Sequence, residues 1–187
     1  MLALAMASYV ALLRAVNLAG KNTISMGDLR ALAQKVGLRE PRTLLASGNL
    51  IFESGAKGSA ALEKLLEIAL SRELQLVTPV VVRSVAEWRA AIADNPFAAE
   101  ARKAPGQLLL MPLKGKPVAG GLTTLAQAIV GRERVKAVGS SLYLVYPDGV
   151  GRSKLTSALI EKKVGVAGTA RNWNTVQKVL AELEAST

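Results

Sequence analysis

Cysteine and histidine are both absent from the 187 residues, and aromatic side chains make up only 4% of them. Without cysteine there is no disulfide framework, no thiolate nucleophile and no Cys-ligated zinc or iron–sulfur cluster. Without histidine there is no imidazole base, no Ser-His-Asp triad and no zinc site of ordinary type. No metal and no cofactor is expected. With so few aromatics the core falls to Leu, Val, Ile and Ala. No segment reaches the ~20 consecutive apolar residues of a membrane span. The apolar start, MLALAMASYVALL, lacks a basic region and is broken by Arg14. Residues 1–8 therefore read as a short extension ahead of a first strand, with no membrane partner and the cytosol as the expected location.

Apolar residues supply 50% of the chain, above the disordered range. The length allows one domain or two small ones. The formal net charge is +10. Its densest stretch is 150–178, where Arg152, Lys154, Lys162, Lys163, Arg171 and Lys178 stand against Glu161 alone. A basic balance points to a phosphate-bearing or otherwise anionic partner, or simply to a solvated basic surface.

The hydrophobic period alternates along the first half. Residues 9–18 form an apolar strand-forming run. Ser25 and Asp28 open a helix with Leu29, Leu32, Ala33 and Val36 on one face, stopped by Gly37. Residues 42–46 and 50–53 are strands split by the turn Ser47-Gly48-Asn49. Ser59 is placed to cap a helix carrying Leu62, Leu65, Leu66, Ala69 and Leu70, and residues 79–83 form a fourth strand. This β-α-β-β-α-β order is the ferredoxin-like unit. Ser84 and Glu87 then open a connecting helix that ends before Asn95-Pro96-Phe97, and residues 98–106 read as loop. The second half repeats the order: a strand at 107–113, a helix marked by Leu122, Leu125, Ala126 and Ile129, and a hairpin of 133–138 and 141–146. A helix at 154–164, a strand at 168–173 and a last helix capped by Asn174 complete it. The expected fold is α+β, two tandem ferredoxin-like units: 1–83, a connector at 84–106, and 107–187 with a C-terminal helix.

Four polar clusters interrupt these apolar surroundings. The first is Tyr146-Pro-Asp-Gly-Val-Gly-Arg-Ser-Lys154. Gly149 and Gly151 permit close backbone approach, Ser153 occupies an N-cap position, and Arg152 and Lys154 add charge at a helix start, a combination that suits an anion. The Walker A spacing is missing. An ordinary loop, with Ser153 as cap and Arg152 paired to a carboxylate, fits the same residues. The second cluster is Arg171-Asn172-Trp173-Asn174, costly to bury without partners, or else a helix cap beside a core Trp. The third is Arg14, Asn17 and Lys21 at the end of the first strand, where a buried Arg would need a carboxylate or carbonyl partner. The fourth, Ser47 and Asn49, reads first as a turn.

The runs YVALLRAVNLAGKN (9–22), SGNLIF (47–52), NPF (95–97), YPDGVGRSKLT (146–156) and TARNWNTVQKV (169–179) resemble the family called domain of unknown function 1697. The resemblance spans about Tyr9 to Leu183 and implies a tandem ferredoxin-like fold, with no established activity. The family pattern R-G-I-N-V-G-G is departed from at Ala15 and Ala19. A left-handed backbone at position 19 would cost Ala on the order of 1 kcal/mol. The resemblance also makes residues 1–5 look like an extension and Met6 a plausible native start.

Three functions suit these residues. A pocket for a nucleotide or phosphometabolite would use Arg14, Asn17, Ser47, Asn49, Arg152, Ser153, Lys154, Arg171, Asn172 and Asn174, a set rich in donors and without a carboxylate. A nucleic-acid-binding module fits the topology and the charge, but Phe52, Tyr143 and Tyr146 alone could stack on bases. An enzyme would rely on Asp148, Lys154 and Tyr146. A cluster that only holds the two halves together, with no ligand, is the plain alternative.

Overall fold

A computed structural model describes residues 6–17, 22–55 and 58–185. The chain divides into two compact units, Met1–Arg89 with Val179–Thr187 and Ala90–Lys178.

In the first unit, β1 (Ala7–Leu13), α1 (Met26–Lys35), β2 (Arg39–Leu44), β3 (Asn49–Ser54), α2 (Ser59–Leu74) and β4 (Val80–Ser84) follow one another. They build an antiparallel sheet of order β2-β3-β1-β4. The second unit repeats the order with β5 (Leu108–Pro112), α5 (Gly121–Gln127), β6 (Arg134–Val138), β7 (Ser141–Val145), α6 (Ser157–Val164) and β8 (Arg171–Asn172), giving the sheet β6-β7-β5-β8. Both are the ferredoxin-like arrangement. Between them run α3 (Val85–Ala93) and α4 (Ala98–Lys103), and α7 (Trp173–Glu184) closes the chain.

Strand alternation puts Tyr9, Ala11 and Leu13 on one face of β1, where they pack with Leu50, Phe52, Val80 and Val82 against Leu29 and Leu32 of α1 and Leu62, Leu66 and Leu70 of α2. Tyr9 and Phe52 are cross-strand partners whose rings stack at 5.8 Å. The second core repeats the scheme, with Leu109, Met111, Leu142 and Leu144 under Leu125 of α5 and Ile160 and Val164 of α6. The opposite faces, with Val10, Leu12, Ile51 and Val81 in one sheet and Leu108, Leu110, Tyr143 and Val145 in the other, are buried as well. The doubly apolar strands are therefore covered on both sides.

Local signals account for most element starts. The amide of Asp28 donates to the Ser25 hydroxyl. Ser84 and Glu87 form a reciprocal capping box, each accepting from the other's backbone N–H at 3.2 and 2.7 Å.

Other boundaries differ from the sequence expectation. β1 starts at Ala7, inside the expected extension, and ends at Leu13, so Arg14 lies beyond it. Ser59 does not cap α2: Gly58 is the N-cap residue, and the Ser59 hydroxyl donates to Glu87 instead. Residues 98–103, expected as loop, are helical because Ala, Glu, Arg and Lys are strong helix formers. α6 begins at Ser157, not 154, since Thr156 is the residue whose side chain accepts from the Leu159 amide. The strand at 168–173 shrinks to Arg171–Asn172, preceded by an isolated Leu113–Gly168 bridge.

Ala19 lies outside the described residues. Ala15, the other departure from the family pattern, has φ 49°. A Cβ in the left-handed region costs about 1–2 kcal/mol, partly offset in glycine by its extra unfolded-state entropy. Ala15→Gly is expected to stabilise the protein by about 0.5–1 kcal/mol in urea unfolding. A loss of stability would show that the loop holds no strain there.

Candidate functional site

Within the second unit, the loop after β7 and the turn before β6 enclose a cleft of about 240 Å³ lined by Gly131, Glu133, Asp148, Arg152, Ser153 and Lys154, with exposed Val130 and buried Leu155. Gly149 takes φ 86°, which lets the chain turn sharply into the short 3₁₀ turn Val150–Arg152. Ser153 follows that turn. It is not a helix N-cap, so the anion argument from a helix start at Ser153 does not hold. Its hydroxyl donates to Glu133 Oε1 and accepts from the Leu155 amide at 3.0 Å.

Two carboxylates enter the cleft beside the expected donors, Asp148 from the loop itself and Glu133 from the turn before β6. Arg132 clamps Asp148 through both carboxylate oxygens, Nε donating to Oδ2 at 3.0 Å. That bond holds the Asp148 carboxyl below its usual range, with the charges of Arg132 and Arg152 acting in the same direction. The Ser153 hydroxyl does the same for Glu133, helped by backbone N–H groups at Glu133 and Gly131 and opposed by partial desolvation and the Asp148 charge. A Cβ on Gly131 would lie 2.4 Å from Glu133 Oε2, so the carboxylate packs directly against the glycine.

The Asp148 carboxylate is thus paired through both oxygens, whereas Glu133 is held through Oε1 and its buried Oε2 has no hydrogen-bond partner among the described residues. Arg152 and Lys154 are exposed, and among the described residues neither side chain forms a hydrogen bond or salt bridge. Tyr146 is buried, donates to the Leu155 carbonyl at 3.0 Å and has its hydroxyl pushed up to about 12 by burial. It does not line the cleft. Of the expected acid–base candidates, Asp148 and Lys154 remain there, and Tyr146 does not.

The other expected residues serve the backbone. Asn17, at φ 55°, donates to the carbonyls of Ile24 and Ala46 at 2.9 and 2.8 Å and accepts from the Ile24 amide at 2.9 Å. It works as a surrogate peptide joining two loops. The Arg14 carbonyl accepts from the Thr78 hydroxyl at 2.6 Å, and its amide donates to Pro79. Asn49 is fully buried and donates to the Leu44 carbonyl and the Ser47 hydroxyl at 2.7 and 3.1 Å, so this pair builds the turn. Lys21 lies outside the described residues.

Arg171 is buried and donates to the Thr169 hydroxyl and the Ala170 carbonyl at 2.8 and 2.9 Å. Burial brings its guanidinium down to about 10. Asn172, rather than Asn174, caps α7 by accepting from the Thr175 amide at 3.0 Å. Trp173 is buried and Asn174 is exposed. None of these four lines the cleft. The candidate stacking aromatics Phe52 and Tyr143 are each at most 1% exposed.

Sequence reasoning missed Arg132 and Glu133. The available signal was the charged run Gly131-Arg-Glu-Arg134, set directly before a hairpin strand.

A family model described as a protein of unknown function (DUF1697) matches residues 6–143, which stops before the loop that carries Arg152 and Lys154. A search of curated proteins finds no match. Among solved structures, a conserved bacterial protein from Streptococcus pneumoniae is similar with a TM-score of 0.75 and 19% identity, over 96% of this chain and 99% of that one. That likeness establishes a shared α+β fold. No helix among the described residues is long and apolar enough to cross a membrane.

Proposed function

Because this chain belongs to the DUF1697 family, whose function is unknown, its activity has to be argued from its own residues, and we propose that it binds a small phosphate-bearing anion in the cleft of the second unit. The observation that carries this reading is the asymmetry of the cleft's charges. Asp148 is paired with Arg132, and Glu133 is held by the Ser153 hydroxyl with its charge intact, while Arg152 and Lys154 have no such commitment, so Arg132, Arg152 and Lys154 outnumber the two carboxylates. Two cations on a loop that Gly149 lets turn sharply suit a phosphate, Arg as a two-pronged donor and Lys as a point charge.

Thermal shift tests this with adenosine triphosphate, inorganic pyrophosphate and a mixed-sequence oligonucleotide as probes. A ligand at 100 times its Kd adds about 2.7 kcal/mol to the native state, a rise of several degrees for a chain of this size. The Arg152→Ala/Lys154→Ala double variant is expected to keep its own melting temperature and lose the rise. If no mononucleotide or pyrophosphate shifts the native protein, the reading fails. If only the oligonucleotide shifts it, with steep salt dependence, the site is a nucleic-acid surface instead.

A further inference from the structure

Among the described residues the two sheets end in four edges, and three are protected. At β4, the outward amides of Val80, Val82 and Ser84 donate to the carboxylates of Glu67, Glu63 and Glu87 at 2.9, 3.0 and 2.7 Å. β2 is bulged between Arg39 and Arg42, with Glu40 at φ 46°. β8 is two residues long. β6 is different. It is five residues long, with an unbroken register to β7 from Arg134↔Val145 to Val138↔Ser141.

The ladder fixes which β6 groups point outward. The Leu113 amide donates to Ser140 and the Tyr146 amide to Gln107, so even-numbered β7 residues bond toward β5 and odd-numbered ones toward β6. Arg134, Lys136 and Val138 therefore pair with β7. The N–H and C=O groups of Val135 and Ala137 face away, and among the described residues they have no partner.

This edge is also the floor of a groove. A cavity of about 730 Å³ runs along it, lined by Pro96–Glu100 at the start of α4, by Ala126 of α5 with Ile129 just beyond its end, and by Glu133 directly ahead of the strand. The two walls differ in chemistry. On one side, Arg134 and Lys136 lie over the Phe97 ring, 5.0 and 5.4 Å from its centroid. Glu100 accepts from Arg134, and Lys136 has no carboxylate partner among the described residues. On the other side, Val135 and Ala137 share their face with apolar α5 residues.

From these features we infer that β6 is a strand-addition site for an extended acidic segment of a partner protein. The segment's backbone would pair with Val135 and Ala137. Its side chains would alternate, acidic toward Lys136 and small apolar toward Ala126 and Ile129. A second copy of this chain does not suit the edge, since antiparallel β6–β6 pairing would set Arg134 and Lys136 against like charges. Glu133 lines both this groove and the anion cleft, whereas Lys136 and Ala137, the positions tested, lie outside the cleft's lining.

The test uses the whole chain and a labelled, end-blocked peptide of alternating glutamate and valine. Fluorescence anisotropy reads binding, and amide hydrogen exchange reads Val135 and Ala137. The peptide is expected to bind and to protect those two amides. Lys136→Glu, an exposed change, and Ala137→Pro, which deletes only an outward N–H, are each expected to weaken binding at least tenfold. Should Ala137→Pro impair folding, Lys136→Glu and the exchange data decide alone. The proposal is overturned by absent binding at about 1 mM peptide. Equal binding of a peptide with the same residues in two blocks would also overturn it, as would protection of the two amides by self-association.

Discussion

Glu63→Ala is expected to be among the most damaging single substitutions in this protein, at about 3–4 kcal/mol. Glu63 is 5% exposed, on the inner side of α2. Its Oε1 accepts from the Val82 amide at 3.0 Å and lies 3.5 Å from the Arg83 guanidinium, whose side chain is itself only 12% exposed. Truncation leaves a buried amide without its acceptor and removes one of the two carboxylates that compensate a largely desolvated cation. The same desolvation draws the Arg83 guanidinium below its ordinary value, with Glu87 and Glu63 opposing it. Losing a buried polar partner costs about 1–3 kcal/mol, and breaking a buried ion pair about 3–5.

Glu63→Gln keeps an acceptor for Val82 and is expected to cost roughly half as much. Glu67→Ala, at a half-buried position where the carboxylate accepts from the Val80 amide, should cost about 1 kcal/mol. Urea unfolding of the three variants gives the order. A Glu63→Ala loss no larger than that of Glu67→Ala would mean that burial of the Glu63–Arg83 pair adds nothing.

Gly48→Ala should cost about 3 kcal/mol, through a different route. Gly48 has φ 77°, and a Cβ built on it would lie 2.6 Å from Val16 Cγ2 and 3.0 Å from Leu13 Cβ. The left-handed backbone alone costs alanine about 1 kcal/mol, and overpacking adds about 1–3. Neither neighbour gives way readily: Leu13 and Val16 are 1% and 2% exposed, and a β-branched Val has few rotamers to escape into. The turn is also pinned, because the Gly48 carbonyl accepts from the Leu13 amide at 2.9 Å. A double-mutant cycle with Val16→Ala separates the two terms. Removing the clashing methyls should recover about 1 kcal/mol of the expected sum, leaving the backbone cost in place. Strict additivity would exclude the steric term.

The β4 edge shows how far local reading reaches. Ser84 and Glu87 are a capping box legible from spacing alone, and the structure contains it. Glu63 and Glu67 carry no comparable signal. Four residues apart on a helix, they read as solvated charges, and only packing of α2 against the sheet brings both carboxylates to amides two residues apart on β4. The cleft divides in the same way. Gly149, Arg152, Ser153 and Lys154 stood out as a loop motif, whereas Arg132 and Glu133 lie sixteen and twenty residues from the groups they bind. Chain proximity cannot reveal such pairs. Asn17 and Asn49 were legible as polar residues in apolar company, but their work as backbone surrogates shows only in their partners.

The sequence by itself determined the tandem βαββαβ order, the apolar faces of the strands, and the exclusion of His- and Cys-based chemistry. These follow from period, turn residues and composition, all properties of neighbouring positions. The tertiary structure decided which groups are tied and which are spare: it paired Asp148 with Arg132, tied one oxygen of Glu133 to Ser153, buried Arg171, and left Arg152, Lys154 and the outward groups of β6 uncommitted. Burial and long-range pairing set the energy of a charge or an amide, and neither is a property of a residue's neighbours along the chain.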